Sequence, residues 1–335
     1  MSISLKADAG GTSGAIQING VDAVVISSSG ITQGAPFSFR NKIINGDFSV
    51  NQRGTYTLTN GIYTYTADRW LINPSGASPV AAYNTALVAP DFSCGVVVTG
   101  TAGLTAVQYG QRIEAANSKM LAGKTVSIQL WAYQSTGSTQ TLNSALYRAN
   151  STDNFGGLTL DANFTLNSTS LPSGVWTKFT GTATLSGSAT TGLYLVINFS
   201  GTLTSGNIAI TGVQLEAGSV ATPFEHRPYQ VELAMCQRYY QYPPSGWSGA
   251  GVVNATTTTS TLFTNLLQQM RAAPTVTWVS GGATDGISSL SATSVAINAA
   301  TETWFRYTPT TATSQGTFGY CVIGRNFMIK ADAEL

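Results

Sequence analysis

The sequence predicts an all-β fold made of many short strands, and three observations support this prediction. Several segments alternate apolar and polar residues with a period of two, as strands with one buried face do. Clusters of turn-forming residues, such as Pro172-Ser173-Gly174, separate these segments. Only residues 229–240 have a helical pattern of useful length. Together these features predict a jelly-roll β-sandwich for the central part of the chain.

Three segments show the alternation most clearly. Thr125–Tyr133 places Val126, Ile128, Leu130 and Ala132 on one face. Gly192–Gly201 does the same with Leu193, Leu195, Ile197 and Phe199. In Ile208–Leu215 the pattern breaks at Gly212, which predicts a β-bulge at that glycine.

Changes in pattern along the chain divide it into four parts. Residues 1–40 are short apolar alternations punctuated by glycines, and we expect a thin, β-rich docking segment, the alternative being a disordered leader. Residues 41–228 form the predicted jelly roll. Residues 229–244 form a helical connector that begins after Pro228. Residues 245–335 return to β-branched and apolar strand patterns and predict a second, smaller β-sandwich.

The composition favours subunit assembly. Charged residues make up 9% of the 335 residues and the net charge is +1, whereas charged residues usually make up about 25% of a globular protein. Surfaces of hydroxyl and amide groups cost less to bury between subunits than ions do. The low positive charge argues against nucleic acid as a partner. It also argues against an anionic membrane surface, and no apolar run is long enough to insert into a membrane.

The three cysteines, Cys94, Cys236 and Cys321, are widely separated in the sequence. They form no CxxC pair, so they predict neither a disulfide framework nor a zinc site. We expect reduced thiols, which fits folding in a reducing cytosol. Met1–Lys6 lacks the basic and apolar pattern of a signal peptide.

Three stretches carry a resemblance to a known group of proteins. The first is Asn41–Phe48 (NKIINGDF), followed by Asn51–Gly54 (NQRG) and Tyr65–Trp70 (YTADRW). The second is Val213–Phe224 (VQLEAGSVATPF), and the third is Glu232–Tyr240 (ELAMCQRYY). In this order and at this separation they resemble the tail-fibre and other virion appendage proteins of tailed bacteriophages. In those proteins the first two stretches bracket a jelly roll similar to carbohydrate-binding modules.

The resemblance implies a homotrimeric protein that is made in the host cytoplasm and carried on the virion, as a tail fibre or another external appendage. Residues 1–40 would contact other virion proteins, and the C-terminal part would face a glycan or other receptor on the bacterial host. Related modules often hold a structural calcium near the Asn45–Phe48 strand. Here Asp47 is followed by Phe48 and Ser49, and the last strand has no acid before Glu216. Because calcium needs several carboxylates, we predict no metal, and we predict no cofactor.

The sequence predicts no catalytic site. The only histidine, His226, lies in a Pro-containing junction after the last predicted jelly-roll strand. A glycan hydrolase needs two carboxylates about 5–10 Å apart. Its candidates are Asp47, Asp68, Glu114, Asp153, Asp161, Glu216 and Glu225. Asp68 is next to Arg69 and Glu225 is near Arg227 in the sequence, which favours a structural role for both acids.

Aromatic rings next to amide groups are typical of sugar-binding sites. Trp131 and Tyr133 share the polar face of their strand with Gln129, so these three residues form one candidate site. A trimer interface or the core of a second sheet would explain the same rings. The other candidates lie in the C-terminal part, where we expect Trp247 in a loop and an aromatic cluster of Trp304, Phe305 and Tyr307. We expect Trp70 and Trp176 in the core.

The sequence therefore predicts a trimeric, non-enzymatic adhesion protein of a phage particle. Two alternatives stay open: a structural protein that decorates or cements a capsid or baseplate without binding a receptor, and a glycan hydrolase. Binding of the isolated protein to a subset of bacterial strains would separate adhesion from decoration.

Overall fold

The computed structural model describes residues 3–7, 13–18, 21–27, 30–33, 39–244, 246–255, 258–284, 289–312 and 321–335. For residues 3–33, 281–291 and 321–326 it describes the backbone alone. The described residues form four antiparallel sheets with little helix, so the predicted all-β class with a jelly-roll sandwich is confirmed. None of the helices in these ranges has the length and apolar character needed to cross a membrane.

The first sheet belongs to the N-terminal segment. Its four strands, β1 (Ile3–Ala7), β2 (Ser13–Ile18), β3 (Val21–Ser27) and β4 (Gly30–Gln33), follow one another as an antiparallel meander. The short apolar alternations of this segment therefore correspond to strands.

Two seven-stranded sheets form the jelly roll. Their strands are β5 (Tyr56–Thr57), β6 (Thr64–Ala67), β7 (Trp70–Ser75), β8 (Val80–Asn84), β9 (Gly95–Thr99), β10 (Ala106–Ile113), β11 (Thr125–Gln134), β12 (Gln140–Ser151), β13 (Asn154–Asn163), β14 (Thr165–Leu166), β15 (Ser170–Leu171), β16 (Thr177–Thr184), β17 (Leu193–Ser200) and β18 (Asn207–Ala217). One sheet has the order β13-β12-β17-β10-β7-β6, with β15 beside β12, and we call it the amide sheet for its outer face. The other has the order β14-β16-β11-β18-β9-β8-β5, and we call it the tryptophan sheet.

The jelly-roll core lies between these two sheets. The inward residues of the three predicted strands are all buried in it, including Val126, Ile128, Leu195 and Phe199. The predicted bulge is also present. Gln129 and Trp131 are two residues apart on β11, but their partners on β18, Gln214 and Thr211, are three residues apart. The extra residue of β18 lies at Gly212, which has φ +62°. A side chain at Gly212 would collide with the ring of Phe92, 2.5 Å from the position of its Cβ.

The helices in the described ranges are few and short. The connector helix α2 spans Tyr229–Gln237, with Pro228 at its N-cap, while helix α1 (Ala115–Ser118) and a 3₁₀ turn (Lys119–Leu121) link β10 to β11. The sequence predicts a helix over residues 229–240, but the helix ends at Gln237. Tyr240 and Gln241 instead form a short strand, β19, which pairs with Ala331 and Asp332.

The fourth sheet, in the C-terminal part, closes on itself. It comprises β19, β20 (Trp247–Val253), β21 (Ser260–Asn265), β22 (Thr275–Thr284), β23 (Ser289–Ala300), β24 (Trp304–Thr311) and β25 (Cys321–Asp332). Their order is β19-β25-β20-β21-β24-β23-β22, and β22 also pairs with β25. The expected small sandwich thus has the closed strand connectivity of a barrel, which leaves six of its strands paired on both sides.

Candidate functional site

Three of the predicted ligand-binding rings are part of the C-terminal core. Trp247, Phe305 and Tyr307 are 3%, 0% and 0% exposed. The ring centroids of Trp247 and Phe305 are 5.4 Å apart, and those of Phe305 and Tyr307 are 5.5 Å apart. The expectation that Trp247 lies in a loop is corrected. It opens β20, and its indole Nε1 donates to the carbonyl of Ile329 at 2.7 Å. Alternation along β20 and β24 turns these rings inward.

Trp304 is the remaining candidate in this part, and it is partly exposed. Its ring lies 6.1 Å from that of Phe263, which is 49% exposed. The two residues lie on neighbouring strands, because Thr264 pairs with Phe305 and Asn265 with Trp304. They form a small exposed aromatic pair on the outside of the closed sheet.

The structure brings the other three candidates together on the outer face of the tryptophan sheet. Trp131 and Tyr133 are partly exposed, while Gln129 is 2% exposed. Trp176, which we expected in the core, is partly exposed instead, and its ring lies 5.5 Å from that of Tyr133. Trp70 is fully buried as predicted, with Nε1 donating to the carbonyl of Asn45 at 2.9 Å.

A second array of polar side chains crosses the outer face of the amide sheet. Gln108 pairs with Asn73 on one side and with Asn198 on the other, and Asn198 pairs with Asn143. Four strands therefore place four side-chain amides in one row. Neighbouring strands are about 4.8 Å apart, so the row spans about 14 Å. The amide of Asn73 has a buried Oδ1 without a hydrogen-bond partner in the chain.

Tyrosine rings lie beside this amide row. The hydroxyl of Tyr63, a residue 46% exposed, donates to Oε1 of Gln108 at 3.2 Å. Because that bond engages the oxygen of Gln108, its Nε2 hydrogens are left for other acceptors. Tyr194 lies across Gly110, where a Cβ would be 2.4 Å from the tyrosine oxygen, and it meets Tyr63 edge to face at 6.2 Å. We call Asn73, Gln108, Asn143, Asn198 and Tyr63 the amide face.

The immediate surroundings of the amide row are small or uncharged. The next row on one side contains Ser75, Ala106, Ser200 and Thr141, which are paired across the same four strands. The next row on the other side contains Leu71, Gly110, Val196 and Ala145. The small residues of the first row leave the amides open to an approaching ligand. The second row is covered instead, since Leu71 and Val196 are buried together with Tyr194. Beyond Tyr194, Leu335 packs on this face and bounds it.

Charged residues, in contrast, gather at the junction of the jelly roll, the helix and the C-terminal part. Glu334 forms ion pairs with Arg69 and, at 2.9 Å, with Arg53. Glu114 is bound by Arg238 at 3.2 Å and by Arg271 at 3.1 Å. The side chains of Glu334, Arg53 and Arg69 are at most 4% exposed. We call this cluster the charged hub; its members are Arg53, Asp68, Arg69, Glu114, Arg227, Glu232, Arg238, Arg271 and Glu334.

The family-like stretches supply most of the hub. Glu232 on α2 accepts a hydrogen bond from the backbone N–H of Asn45 and pairs with Arg227 at 3.2 Å. Arg69 lies 3.4 Å from the ring centroid of Tyr239. Asp68 accepts the backbone and side-chain N–H groups of Gln52 at 2.7 and 2.8 Å. The stretches that carry the resemblance therefore hold the parts of the chain together.

The pKa values of two buried carboxyl groups in the hub are shifted in opposite directions. Desolvation raises the pKa of Asp68 to about 6, against the opposing effects of Arg53 and the Gln52 hydrogen bonds. Burial also acts on Glu114, but Arg238, Tyr239 and Arg271 outweigh it and hold the pKa of Glu114 below its usual value. Arg53 acts on Asp68 through its charge at longer range, whereas Arg238 and Arg271 contact Glu114 directly.

The acids considered for a hydrolase are all engaged by other groups. Asp47, Asp153 and Glu225 accept backbone N–H groups of Ser49, Ala115 and Asn41 at 3.1, 2.7 and 3.0 Å. Asp161 pairs with Arg148, Glu216 pairs with Arg40, and Asp68 and Glu114 belong to the hub. Within the described ranges no three His, Cys, Asp or Glu side chains are grouped so that they could hold a metal ion. His226 is exposed and packs against Phe92 and Phe224.

Sequence reasoning missed the amide face, although part of the signal was visible. The alternation of Gly192–Gly201 assigns Leu195, Ile197 and Phe199 to the core, and the same pattern assigns Asn198 to the outer face. The pattern in one strand cannot reveal that Asn198 lies between Gln108 and Asn143, because that depends on strand order and register.

Comparisons with known proteins give matches in shape only. No family model matches the chain, and no curated protein sequence matches it. Among solved structures, it is similar to a putative sugar binding protein from Bacteroides thetaiotaomicron (16% identity, 53% of this chain, 100% of that chain, TM-score 0.36). It is also similar to the xylanase 10B fragment of Clostridium thermocellum that joins a family 22 carbohydrate-binding module to a glycoside hydrolase module (13% identity, 54% of this chain, 29% of that chain, TM-score 0.35). A third match is the enzymatically active domain of tailspike protein 4 of bacteriophage CBA120 (16% identity, 53% of this chain, 22% of that chain, TM-score 0.35). The chain spans less than a third of the length of the last two.

Proposed function

We propose that this protein is a non-enzymatic adhesin of a bacteriophage particle whose jelly roll binds a neutral glycan on the amide face. The observation that carries the proposal is the row of Asn73, Gln108, Asn198 and Asn143 on four adjacent strands, with Tyr63 beside it. A rigid sheet fixes the spacing of these groups before a ligand arrives, which lowers the entropy cost of binding.

The chemistry of the row matches that of a sugar. Each side-chain amide offers two N–H donors and one oxygen acceptor, and a sugar hydroxyl both donates and accepts. The half-exposed ring of Tyr63 can stack on the C–H face of a sugar, as tyrosine does in many binding sites. A charged ligand is less well matched, because all four side chains in the row are neutral.

The non-enzymatic part of the proposal is supported by the positions of the acids. Hydrolysis needs one carboxyl group that gives a proton and a second that attacks or activates water. The seven acids considered each accept hydrogen bonds or form ion pairs within the fold, and the amide row itself carries no carboxylate. This arrangement fits recognition without turnover.

The virion role rests on the resemblance of the ordered stretches and on the low charge of the chain. We infer a homotrimer, since three weak sites on one trimer raise the effective affinity for a repetitive surface without any new contact. The proposed trimer would attach to the particle through residues 1–40. Native mass measurement at micromolar concentration tests this, and a stable monomer would contradict it.

Binding of the full-length protein to an array of purified bacterial surface polysaccharides and neutral hexasaccharides tests the glycan site. We expect wild type to bind a subset of the array. Gln108→Ala combined with Asn198→Ala removes the two central amides and is expected to weaken binding at least tenfold, because each lost hydrogen bond contributes roughly 1 kcal/mol. Its thermal transition should stay within a few degrees of wild type, since both side chains are partly exposed.

Asn117→Ala is the matched control. Asn117 is an exposed amide on helix α1, away from the amide face, so its removal should leave binding unchanged. Equal binding by wild type and by the double variant would reject the amide face as the site. Binding of no polysaccharide, together with tight association to a capsid or baseplate protein, would support the decoration function instead.

A further inference from the structure

A groove lies on the opposite side of the jelly roll, at the edge of the tryptophan sheet. It has a volume of about 420 Å³, within the usual range for small-molecule sites. Three chain segments line it: 165–167 on and after β14, 180–182 on β16, and 219–221 just after β18. Hydroxyl, amide and methyl groups make up its side chains, and Val220 is 70% exposed at its rim.

The segment after β18 arches over the outer face of this sheet. The backbone N–H of Thr222 donates to Glu216 Oε1 at 2.7 Å, and the backbone N–H of Glu225 donates to Gln214 Oε1 at 2.8 Å. Arg40 pairs with the same Glu216 at 3.4 Å. These contacts fix the arch over β18 and leave the groove between the arch and β16.

Two buried polar atoms belong to β11, the strand between β18, which the arch covers, and β16, which lines the groove. Ser127 pairs with Glu216 of β18 on one side and with Thr182 of β16 on the other. Gln129 pairs with Gln214 and with Thr180 in the same way. Ser127 and Gln129 are 0% and 2% exposed, yet Oγ of Ser127 and Oε1 of Gln129 have no hydrogen-bond partner in the chain.

Unpaired buried polar atoms destabilise a fold, so their retention next to a groove needs a reason. A hydroxyl group that reached β11 from the groove would satisfy both atoms, because Gln129 Oε1 accepts and the Ser127 hydroxyl can do either. The partners of Gln129 and Ser127 on β16 are Thr180 and Thr182, and these two residues line the groove itself.

The aromatic residues of this sheet extend the same outer face. Trp131 follows Gln129 on the outward side of β11 and pairs with Lys178 of β16, and Tyr133 comes next, with its ring 5.5 Å from that of Trp176. A chain of sugar units that starts in the groove would therefore meet rings along the direction of β11. Stacking of sugars on such rings needs no charge.

We propose that this groove is a second glycan-binding site, which takes neutral sugar units on Thr180 and Thr182. Gln129 and Ser127 are the buried hydrogen-bonding groups next to it, and Trp131 is the adjacent stacking ring. The site lies on the sheet opposite the amide face, so one jelly roll would bind glycan on two sides. A fibre with such a module would engage two glycan chains per subunit, which multiplies the attachment points of each trimer.

The test uses the same array and the full-length protein, in the background of Gln108→Ala with Asn198→Ala so that the amide face is disabled. We expect this double variant to keep measurable binding to some spots. Adding Thr180→Arg, which fills the groove, should reduce that remaining binding at least tenfold. Gln129→Leu should do the same while the thermal transition stays equal or rises, because it removes an unpaired buried oxygen without a large change of volume.

Asn117→Ala is again the control and should change nothing. A double variant that binds no spot, or remaining binding that neither Thr180→Arg nor Gln129→Leu reduces, would overturn the second site. If the amide-face variant binds like wild type while Thr180→Arg alone abolishes binding, the groove stands and the amide face fails. A wild-type chain that binds nothing would overturn both sites.

Discussion

The charged hub and the amide face are opposite kinds of polar surface on one molecule. The hub concentrates arginines and carboxylates in an interior where Arg69 and Glu334 are almost completely buried. The amide face spreads neutral groups over an open sheet. Buried ions tolerate few alternative arrangements, because an ion that loses its partner has no water to replace it. Neutral amides can exchange water for a ligand at little cost.

The difference teaches that the most recognisable stretches of this sequence are structural. Asp68, Arg69 and Glu232 all lie in those stretches, and all are bonded to other parts of the fold. Ligand-binding residues, if they lie on the amide face or in the groove, come from strands that have no distinctive motif. A resemblance carried by the hub therefore predicts the architecture better than it predicts the ligand.

Breaking the hub should have the largest effect on stability. Glu334→Gln leaves Arg53 and Arg69 buried without their shared carboxylate, and we expect a loss of about 3–5 kcal/mol in the free energy of unfolding. Asp332→Asn is the matched control. Its carboxylate is 40% exposed and lies 3.6 Å from Arg53, so it should cost less than about 1 kcal/mol. Chemical denaturation measures both. Equal losses would show that burial of the hub ions does not decide their effect.

A comparison of two tryptophans tests the closed C-terminal sheet. Trp247→Ala removes a core ring and should destabilise the protein by about 3–5 kcal/mol. Trp304→Ala removes a partly exposed ring beside Phe263 and should cost clearly less. Calorimetry of both variants checks the difference. Should Trp304→Ala prove the more damaging, the assignment of inner and outer faces in β20 and β24 would be wrong.

The hub also predicts a pH dependence with an unusual sign. The pKa of Asp68 is raised to about 6, above its ordinary value of 3.8, because burial disfavours its charge. The folded state therefore binds this proton more tightly than the unfolded state, and the contribution of Asp68 to stability grows as the pH falls from about 6 towards 4. Asp68→Asn removes that titration. We expect the stability of wild type relative to the variant to rise by about 2–3 kcal/mol between pH 7 and pH 4.

Equilibrium unfolding of both proteins at several pH values measures this difference. Taking the difference cancels the other titrating groups, including Glu114, whose lowered pKa acts in the opposite direction. A relative stability that falls towards pH 4 would mean that Arg53 and the Gln52 hydrogen bonds outweigh burial at Asp68.

Much of the fold could be predicted from the sequence, because it depends on local patterns. Period-two alternation identified β11, β17 and β18, and a single glycine identified the bulge at Gly212. The C-terminal rings were harder to place. Trp247 and Trp304 both begin strands, and only the closure of the sheet decides that one faces inward and the other outward.

The amide face could not be predicted because it is assembled from distant parts of the chain. Asn73, Gln108, Asn143 and Asn198 are separated by 35 or more residues each, and their proximity follows from strand order alone. Nothing in the local sequence distinguishes these amides from the many other Asn and Gln residues of a chain with so few charges. Trp131, Tyr133 and Gln129 were predictable as a group only because they lie on a single strand.

The smallest effect that we predict separates stacking from hydrogen bonding at Tyr63. Tyr63→Phe keeps the ring but removes the hydroxyl that donates to Gln108 Oε1 at 3.2 Å. The Gln108 amide then loses a neighbour that orients it, and we expect a two- to fivefold loss of glycan binding, since one exposed neutral hydrogen bond contributes roughly 0.5–1 kcal/mol. Tyr63→Ala removes the ring as well and should cost at least tenfold. Neither change should move the thermal transition much, because the side chain is 46% exposed. Titration of the best-binding polysaccharide with wild type and both variants measures the two steps. If Tyr63→Ala and Tyr63→Phe bind equally well, the ring does not stack on the ligand, and the amide row would have to bind glycan without it.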